Sequence, residues 1–182
     1  MSAARPPVPS TARSGHLSYA IFTLARAHRA RAAGMLRELG LHPGQELLLM
    51  QLFDRDGQSQ SELLESAGLD HSTVSKSVKR MQEAGLLTRT PSEHDRRVMN
   101  VHLTDQGRAL RRPIEKMWAA LEATATEGLD PAAVEAFVAT ALAVEQSICR
   151  SDRADADAGA DADADEGSGS ETDRPTGRTH RP

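Results

Sequence analysis

The stretch from Ser72 to Arg80 carries the densest chemistry in the chain. Ser72, Thr73 and Ser75 offer short hydroxyls, and Lys76, Lys79 and Arg80 offer three cations one turn further on. A second cluster, Asp95-Arg96-Arg97, sets two guanidiniums beside one carboxylate. Neither group is a hydrolytic or redox set. Together they suit a polyanion that also displays hydrogen-bonding edges. Hydroxyls read base edges or bind phosphates, and Lys and Arg neutralise backbone charge.

The alternatives are poorly supplied. The sequence has no G-x-S-x-G, no glycine-rich phosphate loop and no H-E-x-x-H. Ser92, His94 and Asp95 share one polar turn with nothing to build an oxyanion hole, so no enzyme is expected. The lone Cys149 excludes an internal disulfide framework and a cysteine-rich zinc site. His16, His28, His42, His71, His94 and His102 are scattered, so neither a metal nor another cofactor is expected.

These residues need elements to hold them. Apolar spacing over 14–39 predicts a long first helix ended by Gly40, and Pro43 suits the first position of a buried second helix rich in leucine. Ser59-Gln-Ser-Glu62 is a capping box for a short third helix, closed at Gly68, after which Leu69 turns inward. Asp70 caps a fourth helix, His71–Ala84. At about 100° per residue, Val74, Val78 and Met81 share its inner face, and Ser72, Lys76, Lys79, Arg80 and Glu83 the opposite one. Two short strands follow, Leu86–Thr90 and Val98–Thr104, with Asp95-Arg96-Arg97 in the turn between them, where Asp95 can pair with a neighbouring arginine. Thr104 caps a fifth helix that Pro113 kinks, and Asp130-Pro131 opens a sixth ending near Cys149. The expected order is ααααββαα: mainly α with a small β-hairpin wing, a winged helix-turn-helix.

Charge is distributed to match. The 182 residues carry a net charge of −4, a hydrophobic fraction of 38% and a mean hydropathy of −0.49. Residues 1–150 hold 18 basic and 17 acidic residues, whereas residues 151–182 hold 4 and 9. Within 71–112 the counts are 9 basic and 4 acidic. Residues 1–13 read as a disordered proline-rich arm, and the Asp/Ala repeat of 151–182 as a disordered acidic tail. That tail is either a solubilising extension or an electrostatic competitor for the basic stretch. No run approaches about 18 consecutive apolar residues. With no secretory signal either, the expectation is a cytoplasmic protein without a membrane span.

The stretches LHPGQELLLMQLF and SQSELLESAGLDHSTVSKSVKRMQEAGLLTRTPSEHDRRVMNVHLTDQGRAL resemble the MarR family of bacterial transcriptional regulators. The D-x-R wing (Asp95, Arg97) and the LTDQGR junction (Leu103–Arg108) are the most specific pieces. The resemblance covers about residues 16–149 and implies a homodimer that binds a pseudo-palindromic operator; a dimer seated over a promoter blocks polymerase, so repression is the expected sign. It divides the chain into a DNA-binding lobe over 42–104 and dimerisation helices over 14–40 and 105–149. It also puts Ser72, Thr73, Ser75, Lys76 and Lys79 on the recognition helix and Arg97 in a minor groove, with Arg80 and Arg96 beside them. Two departures stand out: His42 where Thr or Ser is usual before Pro43, and polar Gln58 where an apolar residue would start a small strand, so that strand is expected to be weak. Members of the family often respond to a small aromatic or anionic effector. Here His16, Tyr19 and Arg26 are the candidate contacts. A metal- or redox-responsive regulator, and a winged-helix interaction module without DNA binding, are the alternatives.

Overall fold

The computed structural model describes residues 8–68 and 70–166, with side chains described as far as Ser151. The arm before residue 8, the inward turn expected of Leu69 and the end of the tail lie outside the described residues. The chain divides after Glu127 into two compact units.

The first unit begins with a 3-10 turn, Ser10–Gly15, where the sequence reading has only a disordered arm. It leads into α1, His16–Glu38. The second helix, α2, spans Gln45–Asp54. Pro43 is therefore not its first residue. The chain turns through Gly44 at φ 90°; the Gln45 side chain accepts from the His42 N–H at 2.8 Å and the Gln45 N–H donates to the His42 carbonyl at 3.1 Å, so main chain and not a cap side chain serves the start of α2. Next come β1 (Gln58–Ser59), α3 (Gln60–Ala67), α4 (His71–Glu83), β2 (Leu87–Pro91) and β3 (Met99–Leu103). The three strands form one antiparallel sheet in the order β1-β3-β2, with Gln58 opposite Val101 and Arg89 opposite Val101 on the other side.

Gln58 opens β1, a strand of only two residues, as a buried and satisfied side chain. It is only 3% exposed, and its side-chain nitrogen donates to the Gln51 and Arg55 carbonyls at 2.9 and 2.6 Å while its oxygen accepts from Arg55 at 3.2 Å. A polar side chain that meets its partners inside the fold carries little desolvation cost.

The helix after Thr104 is two helices, α5 (Asp105–Ala109) and α6 (Arg111–Thr126). The expected kink at Pro113 is instead a break at Leu110. A proline ring clashes with the carbonyl four residues earlier, here that of Ala109, so the first helix stops there. Leu36, Leu48, Leu49, Leu52, Leu63, Val74, Val78, Met81, Val101 and Ile114 fill the core. Gly107 lies so close to the Leu86 carbonyl oxygen that no Cβ would fit, which lets α5 seat on the end of the hairpin.

Among its described residues, the second unit holds one helix, α7, Pro131–Glu166. It runs past residue 151, where the sequence reading starts a disordered tail; alternate alanines, the best helix formers, continue it. By length and composition alone, Pro131–Ser151 would cross a membrane: its mean hydropathy is 1.4, and none of it is buried. Counting consecutive apolar residues misses this window, because Glu135, Thr140 and Glu145 interrupt a run of alanine and valine. Phe137, Val138, Leu142 and Ile148 are all at least half exposed.

Candidate nucleic-acid interface

The roll of α4 is fixed from inside by Val74, Val78 and Met81, all nearly inaccessible. That leaves Ser72, Lys76, Lys79 and Arg80 exposed, with Thr73 and Ser75 half-buried at the flank. Lys79 Nζ lies 3.9 Å from Glu83 Oε1; between two largely exposed side chains such a pair adds little. At the start of the helix, Asp70 accepts the Thr73 hydroxyl at 2.6 Å, the Ser72 hydroxyl at 2.8 Å and the Thr73 N–H at 2.9 Å. These bonds, the Thr73 hydroxyl first, hold its carboxyl well below the usual carboxylate range.

The hairpin tip closes on its own main chain. The Ser92 N–H donates to the Val98 carbonyl at 2.8 Å, and the Val98 N–H to the Asp95 carbonyl at 2.9 Å. The Asp95 carboxylate accepts the Arg97 backbone N–H at 2.9 Å. Asp95 thus folds the turn and does not steer a guanidinium as the sequence reading has it. A bond to the main chain two residues on orders no long side chain, so it wins over an exposed ion pair. Arg96 and Arg97 are exposed, and among the described residues no carboxylate stands at ion-pair distance from either.

Asp56 anchors the base of the hairpin, a role the sequence reading misses. Its carboxylate accepts the Leu103 N–H at 2.9 Å and the Arg108 guanidinium at 2.6 Å. Partial burial opposes its ionisation, but the Leu103 N–H and Arg108 outweigh that and hold its carboxyl below the usual value. The Thr104 hydroxyl, donating to the Gly85 carbonyl at 2.7 Å, ties the same junction to the end of α4. On the other face the Thr90 hydroxyl and His102 Nε2 are 2.9 Å apart, and a Cβ on Gly57 would come within 2.9 Å of the His102 ring. The Asp56-Gly57 turn and the Arg108 of LTDQGR were the signals available in the sequence. Their meeting across about fifty residues was not.

Of the proposed effector contacts on α1, Tyr19 lies against Phe22, ring centroids 6.5 Å apart, His16 and Arg26 are exposed, and none of the three lines the cavity between α2 and α6. That cavity, of about 330 Å³, is walled by Met50, Phe53, Asp54, Arg111, Glu115 and Trp118 among others. Arg111 sits 5.8 Å over the Phe53 ring and pairs with Glu115 at 3.1 Å, and the buried Trp118 Nε1 has no acceptor.

Comparison with known proteins agrees with this arrangement. The MarR family model matches residues 29–98. A transcriptional regulator of Methylorubrum extorquens, TtmR, is 30% identical over 95 residues, which are 52% of this chain and 49% of that protein. The organic hydroperoxide resistance transcriptional regulator of Bacillus subtilis is 28% identical over 95 residues, 65% of its length. The chain thus spans about half to two thirds of these relatives. In fold it is similar to BpsR of Bordetella bronchiseptica, whose DNA binding is regulated by 6-hydroxynicotinic acid. The TM-score is 0.65 at 23% identity, covering 71% of this chain and 98% of that one. Over residues 29–98, which hold the capped α4 and most of the three-stranded sheet, this chain is similar to the MarR family of winged-helix regulators.

Proposed function

We propose that the chain is a homodimeric, sequence-specific DNA-binding transcriptional regulator, a repressor released from a pseudo-palindromic operator by a small-molecule effector. The observation that carries the reading is the pair of cationic surfaces on one unit. Lys76, Lys79 and Arg80 lie on the outer face of α4, and Arg96 and Arg97 on the hairpin tip, each held by buried or bonded neighbours on its inner side. A helix of 13 residues is about 20 Å long and addresses one half-site. Two such helices about 34 Å apart address successive turns of one DNA face.

The second copy is supported by apolar surface. Leu17, Phe22 and Leu24 on α1 are at least half exposed, as are Phe137, Val138 and Leu142 on α7. Faces of this kind on a soluble chain mark contact surfaces. For the effector, the cavity between α2 and α6 is the better candidate than His16, Tyr19 and Arg26. It combines an aromatic wall, a cation and an unpartnered N–H donor.

Fluorescence anisotropy with labelled duplex from upstream of the gene tests the reading. The full chain should retain that duplex against excess scrambled competitor, and release it when the effector is added. Equal affinity for both duplexes would sink the reading.

A further inference from the structure

The hydroxyls that open α4 are not free in both directions. Each hydroxyl has one proton, and Ser72 and Thr73 both give theirs to Asp70, at 2.8 and 2.6 Å. What they present outward is lone pairs only. We infer that Asp70 is a specificity-determining residue: by taking these protons it makes the leading end of the recognition helix an acceptor surface, matched to bases that offer an amino group in the major groove. Those bases are adenine, through N6, and cytosine, through N4. Guanine and thymine offer acceptors at the same edge and meet lone pair against lone pair. The carboxylate strengthens the bias, since it accepts from cytosine N4 itself and repels phosphate. Ser75, one turn on, makes no hydrogen bond among the described residues and stays able to donate or accept, so the bias belongs to the first turn alone.

This inference rests on α4 reading DNA, and one substitution separates the two. Asp70→Asn leaves a good helix cap. Its amide oxygen can keep the Thr73 N–H and the Ser72 hydroxyl, now on Oδ1, while its nitrogen replaces the Oδ2 that takes the Thr73 proton. The amide then donates to Thr73, and the threonine proton turns outward. The acceptor becomes a donor with no change in shape.

The test is selection of duplexes from a library with a randomised core of about 24 base pairs, using the purified full chain and the D70N variant. The wild type should select adenine or cytosine at one symmetric position in each half-site. D70N should move that position toward guanine or thymine by about three- to tenfold, the worth of one neutral hydrogen bond. Reading the ratio between bases cancels the general gain in affinity from losing a negative charge. In a Thr73→Val background, where no threonine proton can turn outward, the same substitution should move the preference by a smaller factor, that of the carboxylate alone. Identical base preferences in wild type and D70N, both enriched, overturn the inference and leave DNA reading intact. No enrichment by the wild type overturns DNA reading itself.

Discussion

Arg97 stands on a turn that its own main chain has already ordered, through Asp95, so on the proposed reading its guanidinium would meet DNA without first breaking an ion pair. Arg97→Ala should therefore weaken operator binding by about 1–3 kcal/mol through lost groove and phosphate contacts, measured by anisotropy. Lys76→Ala should weaken binding to all sequences alike and flatten the plot of log affinity against log salt by about one unit. Lys79 shares its charge with Glu83, and Lys79→Ala should flatten the slope less. The exposure of these side chains was legible in the sequence, because helical period alone sets which face turns outward. The partner of Asp95 was not. A main-chain N–H and a guanidinium are equally near in sequence, and only the closed geometry of the turn chooses between them.

At the scale of elements, the winged lobe depends on the clasp that Asp56 makes between Leu103 and Arg108. Asp56→Ala leaves the Leu103 N–H without its acceptor and should cost about 1–3 kcal/mol at neutral pH, read from urea unfolding. The folded carboxyl titrates below its ordinary value, so the clasp contributes fully above about pH 4 and is lost as pH falls through the folded pKa. Wild type and variant should differ most near neutrality and converge in acid. Glu62, lowered first by the Ser59 N–H and then by the Ser59 hydroxyl and Arg55, adds to the same acid sensitivity. Helix α4, its cap and the capping box of α3 could be read from spacing because their bonds are local. The two-residue β1 could not. Its pairing is set by Val101 and Asn100, some forty residues on, and its buried Gln58 looks like a surface residue until Gln51 and Arg55 are in place around it. The break at Leu110 needed one further step, the reach of a proline ring back to the fourth preceding carbonyl.

At the scale of the whole molecule, α1 and α7 each leave several large apolar side chains exposed among the described residues. If α7 is a dimer helix, the full chain should run at twice its 19.6 kDa mass in light scattering at micromolar concentration, and the double variant Val138→Asp, Leu142→Asp should run at the single mass. The variant should also lose operator affinity steeply, since one half-site then binds alone. Partitioning with lipid vesicles at unchanged mass would favour the membrane arithmetic of Pro131–Ser151 instead. The whole-chain charge is a poor guide at this scale: its −4 sums a near-neutral body, within which 71–112 is basic, and an acidic end. Removing residues 152–182 should raise affinity for random-sequence DNA at low salt if the acids compete for the basic stretch; unchanged affinity would leave them a solubilising extension.

The seats of the wing also set where the protein can vary. At Gly107 the Leu86 carbonyl, and at Gly57 the His102 ring, occupy the space of any Cβ. His102 can give way by rotating, but a carbonyl in the main chain cannot. In a library of all single substitutions scored for folded protein, and repeated on a His102→Ala background, position 57, whose φ of 78° also favours glycine, should admit only asparagine or aspartate and only on that background, whereas position 107 should accept no residue but glycine on either. Variation in this lobe is thus closed at one main-chain contact, and substitutions on the outer face of α4 or at the hairpin tip can accumulate only with that contact unchanged.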